Sequence, residues 1–98
     1  MIQNNPLVIH PDGTSEVLAY TRPQDEKNSQ AIQASLTTLQ NAVGGYIETI
    51  AVRGDDSLIL LVNEEGRRLK LPYNPQASEL AQRHIVGKAV LLPKALLC

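Results

Sequence analysis

From about Asn28 onward, Ile32, Leu36, Leu39 and Val43 recur at helical spacing until Gly44-Gly45 supplies a stop. The segments after the glycines are mostly of strand length and rich in β-branched residues, so the chain is restricted to helix packed on sheet. Positions i, i+4, i+7 and i+11 share one helical face, which predicts that Ile32, Leu36, Leu39 and Val43 are buried against that sheet. Tyr46 to Val52 and Leu58 to Val62 read as strands joined by Arg53-Gly54-Asp55-Asp56. A second turn, Asn63-Glu64-Glu65-Gly66, leads into Arg67-Arg68-Leu69-Lys70-Leu71, whose basic and apolar residues alternate as in a third strand of a meander. Leu7-Val8-Ile9 and Glu16 to Tyr20 flank Pro11-Asp12-Gly13 and form an opening hairpin over about residues 7–20. The polar stretch from Thr21 to Ser29 is either a linker or an acidic first helical turn. Asn74-Pro75 has the signature of an N-cap followed by proline at the first helical position, opening a short helix through Ala77, Leu80 and Ala81. Ile85 to Leu92 is the expected last strand. The predicted fold is therefore α+β, a mainly antiparallel sheet of five or six strands with one long helix packed on a face and a short second helix. A partly closed β-barrel with helices is the alternative.

With 98 residues there is material for one core, so residues 1–98 are read as a single domain. The core has to be aliphatic, because 43% of residues are hydrophobic and only 3% aromatic. A net charge of −1 supplies no general field for a polyanion. Cys98 is the only cysteine, which excludes an internal disulfide or a cysteine-based zinc site within one chain. No apolar run approaches the roughly 20 residues of a membrane span, and the start Met1-Ile2-Gln3-Asn4-Asn5 does not read as a signal peptide. No membrane partner is expected, and a cytoplasmic location is.

The segments Leu39-Gln40-Asn41-Ala42-Val43-Gly44-Gly45-Tyr46-Ile47-Glu48, Asn63-Glu64-Glu65-Gly66, Asn74-Pro75-Gln76-Ala77 and Val86-Gly87-Lys88-Ala89-Val90, in that order, resemble the phage and bacterial domain of unknown function numbered 3846. The resemblance spans about residues 30–92. It implies a small bacterial, phage or plasmid protein and brings no reaction, cofactor or ligand with it. Lys88 stands where that family often has an acidic residue.

The residues themselves carry little chemistry. Glu48, Glu64, Glu65, Asp55 and Asp56 are candidates for a cation or acid–base site, but two of the pairs sit at expected hairpin tips, where solvated carboxylates are ordinary. His10 and His84 belong to no ligand pair or triad segment. Ser29, Ser35, Ser57 and Ser78 lack a nucleophile-elbow setting, and Cys98 lies at the end of the sequence. Gly44-Gly45 follows a helix, whereas phosphate loops precede one. No catalytic residue, metal ligand or cofactor is assigned.

Arg53, Arg67, Arg68 and Lys70 form the one local basic concentration and are the candidate nucleic-acid contacts. In the expected meander, Ile47, Ala51, Leu58, Leu60, Val62, Leu69 and Leu71 share the face that meets the helix. The other face carries Ile50, Val52, Ile59 and Leu61 beside Tyr46, Glu48, Arg68 and Lys70. That candidate interaction face is apolar enough in its middle to call for a homodimer or another protein partner. The leading functional expectation is a non-enzymatic interaction module, of phage or mobile-element origin. A nucleic-acid-binding accessory protein is the alternative, and a small hydrolase or ligand-binding protein the second alternative.

Overall fold

The computed structural model describes residues 5–18 and 29–96, with side chains described for 5–18, 36–94 and 96. Strands β1 (Leu7–Ile9) and β2 (Ser15–Val17) form the opening hairpin, followed by helix α1 (Ser29–Val43). Strands β3 (Ile47–Ala51) and β4 (Leu58–Asn63), helix α2 (Pro75–Ala81), strand β5 (Ala89–Pro93) and a 3-10 turn (Lys94–Leu96) complete the order. The strands make an open, wholly antiparallel five-stranded sheet in the order β2-β1-β5-β4-β3. The fold is α+β with two helices. The sheet has two ends among the described residues, at β2 and β3, so the barrel alternative is not adopted.

Both sheet faces are covered from within the chain. On one, α1 lays Leu39 and Val43 onto Val8, Leu61, Val90 and Leu92. On the other, α2 lays Ala77 and Ala81 onto Ile50, Leu60, Val62 and Ala89, with Val52 and Ile85 in the same cluster. Successive strand residues point to opposite faces, so Leu60 and Leu61, both buried, serve different cores. Helix α1 ends as its glycines imply. Gly44 stands at φ +84°, and the amides of Gly44 and Gly45 both donate to the Gln40 carbonyl, at 2.8 and 3.0 Å.

Four expectations need correction. Leu36 is 40% exposed, so among the described side chains of α1 the buried stripe is Leu39 and Val43; the side chain of Ile32 lies outside the described residues. Residues 67–71 are not a strand. The amides of Leu69, Lys70 and Leu71 donate to the carbonyls of Glu65, Arg67 and Gly66, and Lys70 at φ 56° turns the chain back, while β5 takes the place beside β4. The last strand begins at Ala89 rather than Ile85. Gly87, at φ +78°, bends the chain just before it, and Val86 makes only an isolated bridge to Tyr73.

The fourth correction concerns which strand residues share a face. The pairs Ala51↔Ile59, Thr49↔Leu61 and Ile47↔Asn63 put Ile47 and Ala51 on the α1 side with Ile59 and Leu61. Ile50 joins Leu58, Leu60 and Val62 on the α2 side. A register one residue from the expected one moves every side chain of a strand to the other face. The expected mixed face of Ile50, Val52, Ile59 and Leu61 is thus divided between two cores, and helices cover what was read as needing a partner. Tyr20 and the rest of the predicted strand beyond Leu18 lie outside the described residues, as does the segment 21–28.

Candidate functional site

The α2 side of the molecule is organised by one buried amide. Asn74 is fully buried and caps α2, its Oδ1 accepting from the Ala77 amide at 3.1 Å. Its Nδ2 does more than the sequence signature requires, donating to the Ile9 carbonyl at 3.0 Å and to the Gly87 carbonyl at 2.9 Å. The Asn74 amide itself donates to the Ile85 carbonyl at 2.9 Å. Ser78, one turn along α2, receives the Ile85 amide on its Oγ at 2.8 Å and donates to the Asn74 carbonyl at 2.7 Å. These bonds bind the start of α2, the end of β1 and residues 85–87 into one unit, and no buried side-chain polar atom among the described residues lacks a partner.

Helix α2 is closed by Gln82 in the left-handed conformation, with the Arg83 amide donating to the Ser78 carbonyl at 3.2 Å. The chain then doubles back along the helix, which brings His84 against Tyr73. Their rings stack with centroids 4.9 Å apart and an interplanar angle of 19°. Tyr73 is 51% exposed and His84 is exposed. Their chain neighbours, Asn74 and Ile85, are the residues pinned by the buried network, so an exposed aromatic pair stands on a fixed base.

Two clefts adjoin this pair, and Arg83 and His84 line both. The more open one, about 510 Å³, also meets Tyr73, Pro75, Ser78, Glu79 and Gln82. The tighter one, about 180 Å³, has Ile50, Val62 and Ile85 beneath it and Glu48, Glu64, Arg67 and Arg83 around it. Among the described residues neither Arg67 nor Arg83 has an ion-pair partner.

The residues singled out in the sequence are dispersed. Arg67, Arg68 and Lys70 share the 64–70 turn, where Arg68 pairs with Glu65, while Arg53 is in the β3–β4 loop with its amide bonded to the Leu80 carbonyl. Of the four, only Arg67 lines the tighter cleft, with Arg83 beside it. From the expected interaction face, Tyr46 is 68% exposed, Glu48 and Ile50 line the tighter cleft, and Val52 and Leu61 are buried in separate cores. Asp55 is occupied locally: its carboxylate accepts from the Ser57 hydroxyl at 2.6 Å and the Ser57 amide at 3.0 Å, which lowers its pKa. Asp12 is held low in the same way by Thr14, and His10 contacts Glu16 at 2.9 Å across the first hairpin. Among the described residues no three of His, Cys, Asp and Glu gather where a metal ion would sit, and no helix is long and apolar enough to cross a membrane.

Tyr73 and Arg83 were missed by sequence reasoning. Both lie just outside an element signal that was legible, Tyr73 one residue before the Asn74-Pro75 cap and Arg83 two residues after the short helix, and only the reversal at Gln82 makes them neighbours. A family model described as "Domain of unknown function (DUF3846)" matches residues 8–95. No curated protein and no solved structure matches the chain.

Proposed function

The chain belongs to the DUF3846 family of domains of unknown function, and on that premise we propose that it is a non-enzymatic interaction module that binds a protein partner through the Tyr73–His84 pair and Arg83. One observation supports this reading most: an exposed, stacked aromatic pair carried by residues adjacent to a fully buried hydrogen-bond network. Tyrosine and arginine are the residue types that most often dominate binding energy at protein interfaces, and a contact group already fixed in place loses little freedom on binding. The cleft beside the pair adds polar rim groups from Glu79 and Gln82. The resemblance suggests a phage or mobile-element protein, or its relic in a bacterial genome, and the single cysteine fits a reducing cytoplasm.

The test is capture from an extract of the host on the immobilised protein, followed by affinity measurement with the isolated partner. Tyr73→Ala and Arg83→Ala should each weaken that partner by at least about tenfold, as expected for residues at the centre of an interface. Leu36→Ala, exposed on the other side of the molecule, should leave binding unchanged. Equal binding by all three variants would rule this surface out.

A second reading has a specific observation in its favour. A stacked ring pair with adjacent guanidinium groups suits single-stranded nucleic acid, since bases stack on aromatic side chains and arginines hold the backbone. Nucleic-acid binding would be lost on nuclease treatment and would fall steeply with salt. Protein binding would survive both.

A further inference from the structure

The two ends of the sheet are guarded unequally. Edge strands present unpaired backbone groups, which proteins protect by shortness, proline, lysine, bulges or a covering segment. Strand β2 has three residues. Strand β3 reads Ile47-Glu48-Thr49-Ile50-Ala51, with a single charge and no proline, and among the described residues it ends the sheet. The Glu64 amide donates to the Tyr46 carbonyl at 3.0 Å, and the pairs Glu48↔Val62 and Ile50↔Leu60 continue that ladder. Bonded and non-bonded positions alternate in an antiparallel pair, so the amides and carbonyls of Ile47, Thr49 and Ala51 point away from β4.

We infer that β3 is a self-association edge, pairing antiparallel with β3 of a second copy of this chain about a two-fold axis at Thr49. In that register Thr49 faces the partner's Thr49 and Ile47 faces the partner's Ala51. The outward groups of the two edges then satisfy one another, and a slip of one residue would leave them unmatched. The interface is isologous, as a two-fold dimer requires.

The self-matching register and the two unpaired arginines together favour a second copy as the occupant. Residues directly opposite in an antiparallel pair share a face, so the partner's Glu48 lies beside Ile50. Ile50 lines the tighter cleft, whose rim carries Arg67 and Arg83 together with Glu48 and Glu64, and neither arginine has an ion-pair partner among the described residues. Each copy therefore brings its Glu48 carboxylate to two unpaired guanidinium groups of the other, on a rim that also carries that copy's own Glu48 and Glu64. The two Glu48 side chains stand diagonally about 7–8 Å apart on that face, and the arginines offset their repulsion. At about 180 Å³ the cleft is smaller than the roughly 300–1,000 Å³ of small-molecule sites, and its size suits a single side chain.

This contact shares Arg83 with the proposed partner surface but not Tyr73, and the Thr49, Glu48 and Tyr73 variants separate the two. Sedimentation or light scattering from about 5 µM to about 1 mM should show the mass rise from 10.7 kDa toward twice that value. Thr49→Pro removes only an outward amide, a change that edge strands accommodate, and should give a folded chain that stays monomeric. Glu48→Arg should weaken dimerisation by at least about tenfold, and adding Arg67→Glu with Arg83→Glu should restore it, because complementary charge then returns with its sign exchanged. Tyr73→Ala should dimerise as the unmodified chain does. A protein that keeps monomer mass to about 1 mM overturns the inference, as does a dimer unaffected by both Thr49→Pro and Glu48→Arg.

Discussion

The two faces of the sheet are closed by different means. Under α1 the packed side chains are aliphatic, with Leu39 and Val43 meeting Val8, Leu61, Val90 and Leu92, and a single buried amide, Asn63, donates to the Val43 carbonyl at the end of the helix at 3.3 Å. Under α2 the helix contributes only Ala77 and Ala81 as fully buried apolar groups, and a hydrogen-bonded Asn74 and Ser78 are buried beside them. Aliphatic burial is roughly proportional to area and tolerates shape-conserving exchange, whereas a buried amide has fixed partners and fixed directions. Both faces bury aliphatic side chains. The second also determines where residues 73–87 stand, and that is the side on which the exposed aromatic pair and both clefts are found.

Substitutions can break this contrast in order of size. Asn74→Ala should be the most damaging, at about 3–5 kcal/mol, because it removes the cap and leaves the Ile9 and Gly87 carbonyls without their donor. Asn74→Asp keeps the cap acceptor but turns a carboxylate toward the same two carbonyls, so it should be no milder. Denaturant unfolding checks both, and a loss near 1 kcal/mol for either would reduce Asn74 to a helix cap. On the aliphatic face, Leu61→Ala should cost about 2–4 kcal/mol, with Leu61→Met much less damaging. Ser78→Ala should cost about 2 kcal/mol by stranding the Ile85 amide. Leu36→Ala should fall within about 0.5 kcal/mol, the range of surface substitutions.

The smallest effect concerns pH. Hydrogen bonds from Thr14 and Ser57 lower the pKa of Asp12 and Asp55 in the folded chain. A group with a depressed folded pKa stabilises the fold above its unfolded pKa, and that contribution disappears as pH falls through the folded value. Both carboxylates are exposed, so the double variant Asp12→Asn/Asp55→Asn should show only a slightly flatter fall in melting temperature below about pH 4. A steeper fall than in the unmodified chain would contradict these assignments.

The part of this structure that was legible in the sequence is local. The cap at Asn74-Pro75, the glycine stop at Gly44, the first hairpin and strands β3 and β4 were each announced by residues a few positions apart. What was not legible depended on distant parts of the chain. Register between β3 and β4 turns on a single residue of loop length, and the alternating Arg67 to Leu71 looked like a strand because nothing local shows that β5 already occupies the edge of β4. The second role of Asn74 was hidden for the same reason, since Ile9 lies 65 positions away. Tyr73 and Arg83 carried no motif at all, and their place around one cleft follows only from the reversal at Gln82.

Amide hydrogen exchange tests the division between the faces most directly. If the Asn74 and Ser78 network fixes residues 73–87, the amides of Asn74, Ala77 and Ile85 exchange only by whole-molecule unfolding, with protection equal to that of Leu61 and Val90 in the central strands. Fast exchange of Ile85 and Ala77 while Leu61 and Val90 stay protected would show that the α2 side opens by itself, and would contradict the claim that the aromatic pair stands on a fixed base.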